Sequence, residues 1–101
     1  MSRYKMDDGV VVDTDKAQTS WNERTRWNGN NHISVHTGDQ WLHETLYKSR
    51  KGRYYIESWS DWQGSTPDAR WVSDEEAVGW LLLNGSEVPE DLAVISDDMV
   101  E

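Results

Sequence analysis

The chain has 101 residues, 36% hydrophobic and 29% charged, which predicts one domain with a single modest core. It has no Cys, so disulfides and thiolate zinc sites are excluded. Its net charge of −9 is uneven: residues 1–56 hold nine Lys/Arg against seven Asp/Glu, residues 57–101 one Arg against twelve Asp/Glu, and that acidic half repels nucleic acid and attracts basic surfaces.

In chain order, RYKMDDGVVVD reads as two extended runs around Asp8-Gly9, a two-residue hairpin signal. Residues 14–27 are ambiguous. Asp13 or Thr14 can cap a short helix, while Trp21, Thr25 and Trp27 at odd positions favour a strand. NGNN at 28–31 is a turn, HISVH a short strand and TGDQ another turn. The two longest strands are expected at 41–48 and 53–62.

A three-residue loop, Arg50-Lys51-Gly52, puts Gly at the left-handed position of a type I turn with a bulge. That register sets Tyr47 opposite Tyr55, Leu46 opposite Ile56 and His43 opposite Trp59. One face then carries Leu42, Leu46, Tyr54, Ile56 and Trp62. The other carries the rings Trp41, Tyr47, Tyr55 and Trp59, with His43, Thr45 and Glu57 between them. A slip of one residue would mix the two sets.

QGSTPD reads as a loop and RWVS as a brief strand. Ser73 with Glu76 three residues on is a capping box, and Asn84-Gly85 a stop, so a helix is expected over 74–84. Its stripe Ala77, Trp80, Leu81 and Asn84, flanked by Val78 and Leu82, should meet the aliphatic sheet face, because burying each Leu or Ile contributes about 1.5–3 kcal/mol. Pro89 opens a second helix over about 89–98. The expected architecture is α+β: a single domain, residues 1–101, with a four- to five-stranded antiparallel meander over about 2–72 and one or two C-terminal helices.

Seven Trp and four Tyr with no Phe mean that the large rings carry a polar N–H or O–H, as interface rings do. The aromatic face Trp41, Tyr47, Tyr55 and Trp59 is therefore a candidate partner-binding surface, for another protein or for a second copy of the chain, unless the WNERTRW segment covers it. Asp74, Glu75, Glu76, Glu87, Glu90 and Asp91 form a candidate acidic docking surface that can imitate a row of phosphates. The basic tip Lys48, Arg50, Lys51 and Arg53, beside the rings, is the alternative nucleic-acid contact, but the acidic half disfavours direct binding of a polyanion.

No catalytic motif is present, so no enzyme and no cofactor are expected. His32 and His36 would share one metal only on a helix; on a strand they stand about 13 Å apart, and no metal is expected. The charged start MSRYKMDDG is not a signal peptide and the longest apolar run, WLLL, cannot span a bilayer, so the expectation is a cytoplasmic protein with no membrane contact.

ETLYKSRKGRYYIESWSDWQG, then ARWVSDEEAVGWLLLNG and VPEDL, resembles a small, largely uncharacterised domain of bacterial chromosomes, plasmids and phages. The resemblance covers about residues 32–92 and implies a β-hairpin followed by a short strand and a helix, with no active-site residues. In size and acidity the chain is similar to anti-CRISPR and antirestriction proteins. The combined expectation is a non-enzymatic, mobile-element protein that docks on a nucleic-acid-binding complex.

Overall fold

The computed structural model describes residues 3–27, 29–39, 41–61 and 66–99. Trp62, expected on the aliphatic face, lies outside them, as do parts of the turns at 28–31 and 37–40 and of the loop after it. Among the described residues, eight strands in antiparallel sheets and two helices make a small α+β fold, with the helices at the C-terminal end.

The central sheet has the order β3-β6-β7-β8, formed by Thr19–Asn22, Leu42–Lys48, Tyr54–Ser60 and Asp68–Trp71. The expected register holds, with Tyr47 opposite Tyr55, Leu46 opposite Ile56 and His43 opposite Trp59. Its cause is the three-residue loop. Ser49 N donates to Arg53 O at 2.6 Å, Gly52 N donates to Ser49 O at 2.9 Å, and Gly52 takes φ +91°, which a Cβ disfavours.

Two further ribbons lie apart from this sheet. β1 (Arg3–Lys5) pairs with β2 (Val11–Asp13), and β4 (Thr25–Trp27) pairs with β5 (His32–Ser34). The first hairpin repeats the 50–52 geometry, with Met6 N bonded to Val10 O at 2.7 Å and Gly9 N to Met6 O at 2.9 Å. Its loop is thus Asp7-Asp8-Gly9, three residues rather than the expected two. The ambiguous 14–27 segment resolves into a single 3-10 turn, Thr14–Lys16, capped by the Asp13 carboxylate, and two strands.

Helix α1 (Asp74–Asn84) begins where Ser73 Oγ accepts from Glu76 N at 3.1 Å. It ends in a Schellman motif: Ser86 N donates to Leu81 O at 3.0 Å and Gly85 N to Leu82 O at 3.1 Å. Gly85 has φ +73°, which requires glycine; a Cβ there would also sit 2.7 Å from Arg24 Nη1, which the flexible Arg24 side chain can relieve by moving. Pro89 precedes a 3-10 turn, Glu90–Leu92, that runs into α2 (Ala93–Met99).

The core has two parts, one on each face of the β6–β7 pair. Leu46, Tyr54 and Ile56 pack with Ala77, Val78, Trp80 and Leu81 of α1 and with Leu92, all buried. On the other face Tyr55 packs with Met6 and Val12 of the first hairpin, flanked by Tyr4, Tyr47, Ala69 and Trp71. Buried Asn84 joins the layers: its Oδ1 accepts from Arg24 N at 2.5 Å and its Nδ2 donates to Asn22 O at 3.0 Å. His36 stacks on Trp80 with ring centroids 3.9 Å apart and meets Asn84 Oδ1 at 3.1 Å.

Candidate functional site

The expected aromatic surface divides at the middle of the sheet. Tyr55 is completely buried, so it is a core residue and not a contact for a partner. Tyr47 stacks on it at 5.1 Å and is half-buried. The cover is the β1–β2 hairpin rather than the WNERTRW segment, because Val12 and Met6 supply the aliphatic side chains that flat rings pack against. WNERTRW instead contributes β3 at the sheet edge, with Trp21 turned to the opposite face beside Tyr54 at 6.2 Å.

Beneath the hairpin, Glu57 accepts hydrogen bonds from two hydroxyls, Tyr4 and Tyr47, the latter at 3.2 Å. Burial, with the Glu57 charge beside it, pushes the Tyr47 hydroxyl up to about 12. Burial likewise raises Tyr55, with Tyr47 and Glu57 adding to it.

The other end of this face stays uncovered by the hairpin. Trp41 is 39% exposed and Trp59 half-buried against His43, with centroids 5.7 Å apart. His43 is clamped on both sides, Nδ1 to Glu23 and Nε2 to Asp61, each at 2.9 Å. Burial alone would lower its pKa, but the hydrogen bonds to Glu23 and Asp61 outweigh that and raise it. A ring that donates from both nitrogens is an imidazolium, so the clamp is strongest when His43 is charged. The clamp was not legible in the sequence, because its three members come from the β3–β4 bend, β6 and the end of β7.

The acidic residues lie mostly on the helical side. Asp74, Glu75, Glu87 and Glu90 are exposed and form no ion pair among the described residues. Glu76 meets Arg70 at 2.5 Å. Asp91 is committed internally, to Lys48 at 3.2 Å and to the Tyr54 hydroxyl at 2.9 Å. Burial pushes Asp91 up, but those two hydrogen bonds bring it below the ordinary carboxylate range.

Because α1 packs on the Leu46–Ile56 face while Trp59 points to the other, the acidic helices and the aromatic face stand on opposite sides of the sheet. One flat partner surface cannot engage both at once.

The basic tip is also reduced. Arg53 bonds Asp8 at 2.9 Å and lies 3.7 Å over the Trp71 ring, and Lys48 is held by Asp91. Arg50 and Lys51 remain exposed without an ion pair among the described residues. The hydrogen bonds from Arg53, Trp71 and Val10 hold Asp8 down at about 2. These pairings join residues far apart in sequence, so composition alone overstated the free positive charge.

His32 sits at the start of β5 against Trp27, at 5.1 Å, while His36 is engaged by Trp80 and Asn84. Among the described residues no group of three or more His, Asp or Glu could hold a metal ion. No helix among them is long and apolar enough to cross a membrane. The feature that sequence reasoning weighted least is the outer side of the helices, where Leu82, Leu83 and Val94 are 45%, 60% and 72% exposed. Leu82, expected to flank the stripe that meets the sheet, faces outward instead, while Val78 on the other flank is buried; Leu83 falls outside the Ala77–Trp80–Leu81–Asn84 spacing.

Comparison with protein-family models, with curated proteins and with solved structures finds no match to this chain. Functional inference therefore rests on these surfaces.

Proposed function

We propose that the chain is a non-enzymatic binding domain whose acidic helical face docks on a basic protein surface built to hold nucleic acid, and so blocks it. The observation that carries this reading is the outward face of α1. Glu75 and Leu82 are seven residues apart, as are Glu76 and Leu83, so each pair stands on one side of the helix two turns apart. Glu75 is free of any ion pair among the described residues and steers a basic partner in, and exposed leucines supply the desolvated anchor that charge alone lacks. Asp74, Glu87 and Glu90 extend the negative field beyond the helix face. An inhibitor of anti-CRISPR or antirestriction type works in this way without a catalytic residue.

The test is affinity capture from nuclease-treated bacterial lysate, comparing the wild-type chain with Glu75→Lys/Leu82→Arg. The expected result is a basic protein that survives nuclease, elutes at moderate salt and is lost with the double variant. Capture that disappears with nuclease, or that the double variant retains, would overturn the proposal.

A second reading is self-association through the open end of the aromatic face, favoured by Trp41 at 39% exposure. Light scattering on the wild type and on Trp41→Ala/Trp59→Ala distinguishes it. A dimer that the double variant dissolves supports self-association; a monomer in both rejects it.

A further inference from the structure

A cleft of about 420 Å³ lies between the first hairpin and the tip of the β6–β7 hairpin. That volume is in the range of small-molecule sites, about 300–1,000 Å³. One wall is the run Val10–Asp13, along β2, which pairs with β1. The other wall is the turn from Ser49 to Arg53, and Tyr55 and Trp71 complete the lining.

The chemistry of this lining is unlike that of the rest of an acidic molecule. Lys16, Arg50 and Lys51 reach the cleft, are exposed, and make no ion pair among the described residues. The one carboxylate in the lining, Asp13, is already occupied by Arg3 at 3.2 Å and by the Asp15 backbone N–H at 3.0 Å. Between the cations lie apolar surfaces, with Val10 and Val11 45% and 60% exposed.

Tyr55 lies beneath the cleft and is completely buried. Its hydroxyl is, among the described residues, the one buried side-chain polar atom without a hydrogen-bond partner, and it has no surface to offer a ligand.

We infer that this cleft binds a small organic anion. A phosphate or carboxylate head is held by Arg50, Lys51 and Lys16, and an apolar or aromatic body lies over Val10, Val11 and Trp71. The guanidinium of Arg50 matches either head group with two parallel N–H donors. A compact anion fits better than a polymer. A single head group feels the local cations within a Debye length of about 10 Å, whereas a polymer would carry its flanking phosphates to the acidic half. The site is separate from the helical docking face, and its test is independent of any protein partner.

The experiment is a two-dimensional amide and indole NMR titration with phenyl phosphate, benzoate and inorganic phosphate. The first two should give saturable shifts confined to Val10–Asp13, Ser49–Arg53 and the Trp71 indole N–H. Inorganic phosphate should bind about tenfold more weakly than phenyl phosphate because it lacks the apolar body. The tighter of phenyl phosphate and benzoate identifies the preferred head group.

Arg50→Ala/Lys51→Ala should weaken binding by about tenfold or more, since each removes a charge-assisted hydrogen bond. Diffuse or non-saturating shifts with both aryl probes would overturn the proposal. So would Arg50→Ala/Lys51→Ala binding as tightly as the wild type.

Discussion

The two faces of the β6–β7 pair are covered by different kinds of element, and the difference accounts for where the candidate sites lie. On one face an eleven-residue helix lays Ala77, Val78, Trp80 and Leu81 over Leu46, Tyr54 and Ile56, and every one of these is buried. On the other face a short hairpin supplies Met6 and Val12, enough to bury Tyr55 and leave Tyr47 half-buried, but not to reach Trp41 or Trp59. A helix presents a broad apolar stripe, while a two-stranded ribbon has few side chains to offer each face. The incompletely covered side accordingly holds the cleft, the unpartnered Tyr55 hydroxyl and the His43 clamp.

The largest test of that contrast is a pair of truncations. Leu81→Ala, on the helix side, should cost about 2–5 kcal/mol, and Val12→Ala, on the hairpin side, about 1.5 kcal/mol. Both are read from urea denaturation. Equal costs would break the comparison and make the hairpin as integral to the fold as the helix.

Next in size is the clamp that holds the uncovered end. His43→Ala leaves the nearly buried Glu23 carboxylate without its cationic partner and should cost about 2 kcal/mol near pH 6. The pH dependence follows from the raised pKa of His43. Its contribution is fully present below the ordinary value of 6.5 and is lost as pH rises through the higher folded value. The gap in thermal midpoint between wild type and variant should therefore be widest at mildly acidic pH and narrow on the alkaline side. A gap that widens with pH would mean that His43 is held neutral.

The smallest effect is at the hairpin tip. Asp8 is lowered from 3.8 to about 2, so its contribution is present above pH 3.8 and disappears as pH falls towards 2. Asp8→Asn should lower the midpoint only slightly at neutral pH, because the Asp8–Arg53 pair is exposed and exposed pairs contribute little, and that small gap should close as pH falls towards 2. An acid limb identical to wild type would show that the tip contact does not tie the hairpin to the sheet.

How far the sequence could be read depended on the range of the interaction. The β6–β7 register was legible because Gly52 demands one loop geometry and the alternation of Leu46 and Ile56 penalises any slip. The limits of α1 were legible because Ser73 and Gly85 act on backbone groups within a few residues of themselves. The shape of the first loop was not, since Asp8-Gly9 is compatible with both a two- and a three-residue turn. The candidate sites were legible only as inventories. Tyr47 and Tyr55 were correctly placed on one face, but nothing local said that Val12 and Met6 would cover them.

The sequence by itself determined the two long strands and their pairing, the limits and apolar stripe of α1 and the charge imbalance between the halves. These follow from short-range rules of turn chemistry, capping and periodicity. The last strand, by contrast, lies at Asp68–Trp71 rather than over RWVS, and the second helix begins as a 3-10 turn. The tertiary structure decided which face each ribbon covers, which charges neutralise each other and which polar group is left without a partner. Asp8 meets Arg53, Asp91 meets Lys48, and Glu23 and Asp61 meet His43 only after the chain has closed on itself. The docking of a short hairpin depends on the shape of a surface that does not exist until the sheet has formed.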